Sequence, residues 1–372
     1  MCRGIGGQYL SFGGHIVRIA AAPAFRNKTR NPYNALLYSE VQQAGADVRE
    51  FGFKVLLGPS PDVLHIHWPE WLFSAPGLAR AKSQAALFRT IISGLRSRGT
   101  SVVWTAHNIQ GHIAHHPVLE QQMWDWFVAN IDGWISLTQA SVEQLISRYP
   151  HLRNVPHAVI PHGHYREAYP RSCGRGRARD SLGIPRDARV FSFVGRIEPY
   201  KQIPKLASAF ARLAGDDLRL VLAGKSKARQ HEAILAAIDQ RVLYHRGFVP
   251  DAELQIYHRA ADVVVLPYRE LQNSGSAILA LSFDVPVLVP NTPSMQELQC
   301  QVGEEWVMTY DGDLTHVTLA EALEHRPAGT AAEISSLNWD RLGQQTLEFY
   351  RVVTQNRRPT RVERRFNKHA RV

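Results

Sequence analysis

Cysteine is scarce in this chain: Cys2, Cys173 and Cys300 are its three copies in 372 residues, and no two of them form a C-x-x-C pair. That spacing supports neither a disulfide framework nor a cysteine-held zinc site. Long apolar runs are missing as well, because Arg, Lys, Asp or Pro interrupts each one short of the ~20 residues that a membrane-spanning helix needs. The opening stretch, MCRGIGGQYLSFGG, lacks the apolar core of a secretory signal. These absences predict a cytoplasmic protein that does not cross a bilayer. Acidic residues are outnumbered, 33 against 43 basic ones, for a formal net charge of +10. Such a balance favours phosphate-rich partners: nucleotides, nucleic acid or an anionic membrane surface. The basic residues are scattered and form no nucleic-acid module, so no nucleic-acid partner is expected.

What is present alternates. Short β-branched runs are separated by longer helical patterns, the signature of parallel sheets covered by helices. Strands are expected at 15–22, 47–53, 63–68, 101–107, 133–138 and 157–162, then at 189–195, 218–224, 242–247, 262–268, 285–290 and 305–310. Two six-stranded sheets follow from that count. Between the two sets, YPRSCGRGRARDSLGIPRD combines Pro, Gly and Arg with few apolar residues, a linker composition. The expected organisation is a first α/β domain over 1–168, a linker over 169–187, a second α/β domain over 188–335, a C-terminal helix over 336–356 and a basic tail over 357–372. Residues 76–99 read as one amphipathic helix, serving either as cover for a core or as a surface for membrane.

In doubly wound sheets, ligands bind beyond the carboxyl ends of the strands. Chemistry-bearing residues collect there: His67, Trp68, Glu70 and Trp71 after the third strand, His107 and Asn108 after the fourth, His162 and His164 after the sixth. In the second half, FVGRIEPYKQI sets Arg196 directly after a strand-end glycine and Lys201 five positions on. Both cations suit a diphosphate leaving group. Asn273, Ser274, Gly275 and Ser276 precede the apolar AILALSF, so their backbone amides open a helix whose N-terminus suits phosphate. His65 and His67 share a strand face, but no third ligand is fixed by local spacing, and no metal site is expected.

In order, the segments HIHWPEWLF, WTAHNIQGH, IPHGHY, VGRIEPYKQI and VVVLPYRELQNSGSAILALSFDVPVLVP resemble GT-B glycosyltransferases. Within that class they are most similar to the GDP-mannose-dependent β-mannosyltransferases of xanthan-type exopolysaccharide assembly, over roughly residues 31 to 345. The resemblance implies two Rossmann-like doubly wound domains facing each other across a cleft, with the nucleotide-sugar donor on the second and the acceptor on the first. It implies no cofactor and no essential metal, a GDP-mannose donor, and a glycan acceptor carried on polyprenyl diphosphate at the inner membrane face. Carried over by position, Arg196 and Lys201 fall on diphosphate contacts, and Asn273 to Ser276 on the segment facing ribose and phosphates. Gly247 and Phe248 match the loop beside the nucleobase. By their place at the first-half strand ends, His67, Trp68, Trp71, Asn108, His162 and His164 are expected to face the cleft on the acceptor side.

One position departs from the pattern. Many retaining GT-B enzymes carry two glutamates eight positions apart; here Glu270 is followed at that distance by Ile278. That favours inversion, which requires a base on the acceptor hydroxyl. Glu70 is the first expectation for that base and His107 the second, while Glu70 also reads as the cap of a helix starting near Trp71. A UDP-sugar donor, and a nucleotide-sugar or polyanion binder without turnover, remain the alternatives.

Overall fold

The computed structural model describes residues 16–108, 115–268, 275–325 and 327–356. The first half builds β1 (Arg18–Ala22), α1 (Tyr33–Gln43), β2 (Asp47–Glu50), α2 (Phe53–Leu57), β3 (Val63–Ile66), α3 (Glu70–Phe73), α4 (Leu78–Ser97), β4 (Ser101–Ala106), α5 (Pro117–Val128), β5 (Gly133–Ser136), α6 (Gln139–Arg148) and β6 (His157–Val159). The second half builds α7 (Arg175–Ser181), β7 (Arg189–Val194), α8 (Ile203–Ala211), β8 (Leu218–Gly224), α9 (Ala228–Leu235), β9 (Val242–Arg246), α10 (Leu254–Ala260), β10 (Val263–Val265), α11 (Gly275–Ser282), β11 (Val287–Pro290), α12 (Pro293–Val302), β12 (Val307–Tyr310), α13 (His316–Glu324) and α14 (Trp339–Gln355).

Each half forms one parallel six-stranded sheet, in the orders β2-β1-β3-β4-β5-β6 and β12-β11-β10-β7-β8-β9. All twelve strands fall inside the expected ranges, most of them shorter by one to four residues. β2 to β7 and β9 are shorter at the carboxyl end, β1, β11 and β12 at the amino end, and β10 at both. Strand order reverses between β1 and β3 and again between β7 and β10, so each sheet has a crevice at its carboxyl end where a ligand can enter. Inner strands such as β4 and β8 are almost wholly buried, as helices on both faces require.

Two features differ from the linear reading. Residues 175–181 of the expected linker are helical: Ala178 and Arg179 are buried, and Arg179 binds Asp262 at 2.9 Å and the Ala260 carbonyl at 3.1 Å. Arginines that read as solvated linker are consumed by a strand-start carboxylate. The C-terminal helix α14, though last in sequence, covers the first sheet. Trp339, Leu342, Tyr350 and Val353 join Val17, Ile19, Ala21 and Tyr38 in one core, and Gly343 admits the Glu40 backbone.

The chain therefore passes between halves twice, and the two passages are bound together. His164 N–H donates to the Leu337 carbonyl at 3.1 Å, and Trp339 Nε1–H donates to the His164 carbonyl at 2.6 Å. A Cβ on Gly163 would lie 2.4 Å from the Trp339 ring, so glycine is required there. No helix among the described residues is long and apolar enough to cross a membrane. In α4, Ala81, Ala85, Phe88, Ile92 and Leu95 are buried in the core, leaving Leu78 and Leu87 as its exposed large apolar residues. The core-facing reading thus accounts for most of its apolar stripe.

Candidate functional site

The second-half part of the site starts from two glycines. Gly195 follows β7 and Gly224 ends β8, at φ +136° and +155°, and a Cβ on Gly224 would fall 1.8 Å from the Gly195 carbonyl oxygen. L-residues resist that backbone, so glycine fixes how the two strand ends meet. The chain then closes a single 3-10 turn at Pro199–Lys201, which returns the Lys201 side chain over Gly195, 3.7 Å from where its Cβ would stand. Lys201 is 8% exposed. Its Nζ lies 5.0 Å from the Tyr268 ring centre, 5.5 Å from Phe193 and 5.9 Å from Tyr200. Among the described residues no carboxylate comes within ion-pair distance of it, and burial lowers its pKa from the ordinary lysine value.

Arg196 behaves differently: it is 75% exposed on its side chain and donates to Glu198 Oε1 at 2.6 Å. Of the two expected diphosphate cations, one is thus buried with no ion-pair partner among the described residues, and the other is exposed and paired. Tyr268 links Lys201 to the next element, its hydroxyl donating to Ser276 Oγ at 3.3 Å. Ser276 and Gly275 begin α11, whose buried apolar residues anchor it against the second core. Asn273, Ser274 and Glu270 lie outside the described residues. Ile278, at the position of a retaining enzyme's second glutamate, is buried. Gly247 N–H donates to the Gly224 carbonyl at 3.1 Å, and Phe248 beside it is 77% exposed.

On the first half, the strand-end residues converge. His107 stacks on Trp68 at 4.4 Å, and its Nε2 lies 2.9 Å from His67 Nδ1. Tyr33, on α1, meets His107 edge-on at 4.9 Å and His162 at 4.7 Å. Burial, then neighbouring imidazoles, hold His67 and His107 well below the usual histidine range. His162 Nδ1 faces the Gly163 carbonyl at 2.8 Å, so it carries the hydrogen, and Nε2 accepts from Tyr165 OH at 3.2 Å. That Nε2 lies 3.3 Å from the Cβ position of Gly275, which brings the first half against the N-terminus of α11.

Glu70 opens α3 rather than capping it: Pro69 holds the cap position, and Glu70 is the first helical residue. Burial pushes its carboxyl up to about 7, with the Glu120 charge adding to the rise. Trp68 and Trp71 stack at 6.3 Å beside it, and Trp71 is 68% exposed. Asn108 is half-buried and adjoins the undescribed residues 109–114.

His164 does not join this group. It is buried, accepts Arg166 N–H on Nδ1 at 3.3 Å and donates from Nε2 to Asn338 Oδ1 at 2.8 Å, fastening the inter-half crossing. His67 is also buried, its ring spent on hydrogen bonds behind His107. Four contributors gave no local signal. Tyr33, Tyr38, Tyr350 and Glu297 stand in segments that carry no motif. Glu297 accepts the first amides of α6, Gln139 N–H at 2.8 Å and Ala140 N–H at 2.5 Å, and lines a cavity of about 240 Å³ between the halves.

Two Rossmann-like six-stranded sheets, with a buried cation at the strand ends of one and a histidine-tryptophan cluster at the strand ends of the other, give the architecture of the GT-B fold. Residues 174–322 match the family of glycosyl transferases group 1. The chain is 29% identical over 343 residues to the GDP-mannose:glycolipid 4-beta-D-mannosyltransferase of Xanthomonas campestris pv. campestris, covering 88% of this chain and 93% of that one. It is 26% identical over 372 residues to the D-inositol 3-phosphate glycosyltransferase of Corynebacterium glutamicum, covering 90% and 86%. Among solved structures, sucrose-phosphate synthase of Thermosynechococcus elongatus superimposes with a TM-score of 0.59 at 17% identity, over 90% of this chain and 94% of that one. Anabaena HepE in complex with UDP and glucose gives 0.56 at 16% identity, over 92% and 98%. The GT-B fold is thereby shared.

Proposed function

We propose that the protein transfers mannose from GDP-mannose, with inversion, to a lipid-linked glycan at a membrane surface. The observation that carries the donor side is Lys201: a buried ammonium with no ion-pair partner among the described residues is costly unless an anion arrives. Lys201, Arg196 and the first amides of α11 would receive the diphosphate, helped by the helix dipole. The mannosyl donor and glycolipid acceptor rest on the similarity to the Xanthomonas enzyme along nearly the whole chain.

In the reaction the acceptor oxygen attacks the anomeric carbon opposite the bond to phosphate. That bond breaks as the new glycosidic bond forms. The hydroxyl proton passes to Glu70, whose raised pKa suits a general base working near neutrality. Negative charge leaves with the nucleoside diphosphate toward Lys201. Ile278 supplies no carboxylate at the position that retaining relatives use, which agrees with inversion.

Incubation of the protein with glycolipid extract and labelled GDP-mannose or UDP-glucose tests this. The proposal expects label in lipid from GDP-mannose and a β-linked product by NMR. An α-linked product, or transfer from UDP-glucose alone, would overturn it.

A further inference from the structure

On the outer side of the first sheet, α3 and α4 meet over a cavity of about 210 Å³ whose walls include Ile66, Trp71, Leu72, Leu87, Phe88 and Ile91. Apart from the Trp71 indole, Gln84 brings the one polar side chain among its described lining residues. An apolar cavity of ~150 Å³ takes up benzene rather than water, so this one suits a short run of hydrocarbon chain. Its mouth is apolar as well. Trp71 and Leu87 are exposed, as are Leu57 on α2 and Leu78 at the start of α4, and Arg98 ties α4 to α2 by donating to the Leu56 carbonyl at 3.4 Å. The charge beside this apolar face has one sign. α4 carries Arg80, Lys82, Arg89 and Arg96 and no acidic residue. Arg96 pairs with Asp132, whereas Arg80, Lys82 and Arg89 form no ion pair among the described residues.

We propose that this cavity receives the hydrocarbon chain of the lipid that carries the acceptor, with the lipid's phosphate against the basic residues of α4. The connection from β3 to the parallel β4 leaves the carboxyl edge of the sheet, so α4 begins, with Arg80 and Lys82, at the edge where Glu70 opens α3. Helical spacing puts Arg80 four residues before Gln84 and seven before Leu87, on the face of α4 that lines the cavity. Trp71 belongs to both places. Its ring lines the cavity and stacks at 6.3 Å on Trp68, which stacks at 4.4 Å on His107. A chain held behind Trp71 therefore leaves its headgroup beside Glu70. Resting on a bilayer asks only for an apolar surface among cations; a cavity walled on its inner side by buried Ile66 and Phe88 separates one chain from its neighbours. A second copy docked by two-fold symmetry would set the cations of one α4 against those of the other, which like-charge repulsion opposes.

This rests on the lipid-linked acceptor of the proposed function, and the first part of its test needs no transfer. Farnesyl diphosphate with a diazirine at the far end of its chain is photolysed with the full chain in saturating GDP, which keeps the probe's diphosphate from Lys201, and the labelled peptides are mapped by mass spectrometry. Label is expected on α3 and α4. Leu87→Glu, at the exposed mouth, should weaken farnesyl diphosphate binding about ten-fold or more, and Arg80→Gln/Lys82→Gln about three-fold or more. Inorganic diphosphate should bind at least ten-fold more weakly than farnesyl diphosphate and ignore Leu87→Glu. Label scattered over the surface, or native affinity for farnesyl diphosphate in Leu87→Glu, would overturn the chain site. In transfer from labelled GDP-mannose, Leu87→Glu should raise the glycolipid extract needed for half-maximal rate about ten-fold. An unchanged requirement, with probe binding lost, would give the cavity to bilayer lipid and overturn its assignment to the acceptor. Failure of the native protein to use GDP-mannose, with α3 and α4 still labelled, would instead remove the donor of the proposed function and leave the chain site standing.

Discussion

At the scale of single residues, placement decides what an ordinary side chain does. Glu70 lies among tryptophans at the head of a short helix, and its carboxyl is raised to about 7. A base must be ionised to accept a proton, so kcat/KM should climb with pH toward a plateau above about 7. Glu70→Gln should cut transfer by ~100-fold or more and abolish that rising limb. A persistent limb with near-native turnover would assign the base elsewhere. His258 shows the reverse effect. Both its ring nitrogens are buried without hydrogen-bond partners among the described residues, its ring stacks on Phe283 at 5.0 Å, and burial lowers its pKa to about 4. The unfolded chain takes up its proton near pH 6.5, before the folded chain does. Stability from neutral His258 is therefore present above pH 6.5 and lost as pH falls toward 4. His258→Leu should flatten the loss by roughly 1.4 kcal/mol per pH unit in that window, measured by denaturant unfolding at pH 7, 6 and 5. An unchanged slope would contradict this.

At the scale of elements, much was legible because period and punctuation agree: short apolar runs closed by His107, His162, Gly195, Gly224, Gly247 or Pro290 mark half of the strands, and their spacing marks the rest. The linker reading of 175–181 missed a helix because its arginines find carboxylates distant in sequence. Sequence likewise places α14 last and cannot say that its Trp339 and Tyr350 close the first sheet. The Glu297 contact with α6 is invisible for the same reason, its partners being 157 and 158 positions away. A carboxylate on a helix N-terminus gains from both the amides and the dipole. Glu297→Ala should therefore loosen the two halves and cost roughly 1.5 to 3 kcal/mol, seen as lower stability and faster proteolysis between them. Native stability would show the contact to be incidental.

At the scale of the whole molecule, the strand-end histidines, the tryptophans and Lys201 could be picked out in advance because Rossmann topology sends strand ends to one edge. Their pairing could not: Arg196 is tied to Glu198, His164 to the crossing, His67 to Tyr38 and His107. The +10 charge belongs to this scale too. On α4, Arg80, Lys82, Arg89 and Arg98 are exposed beside Leu78 and Leu87. We expect co-sedimentation with anionic liposomes, weakened by salt and by Arg80→Glu/Lys82→Glu/Arg89→Glu; equal binding to neutral liposomes would remove the surface role.

The central claim is that a nucleoside diphosphate completes Lys201, which has no ion-pair partner among the described residues, and calorimetric titration of GDP into the native protein and Lys201→Met tests it most directly. Each charge-assisted contact is worth roughly 1.5 to 3 kcal/mol, so Lys201→Met should bind GDP more than ten-fold more weakly while its ligand-free Tm does not fall. The native protein should prefer GDP over UDP. Equal GDP affinity in the two proteins would contradict the account.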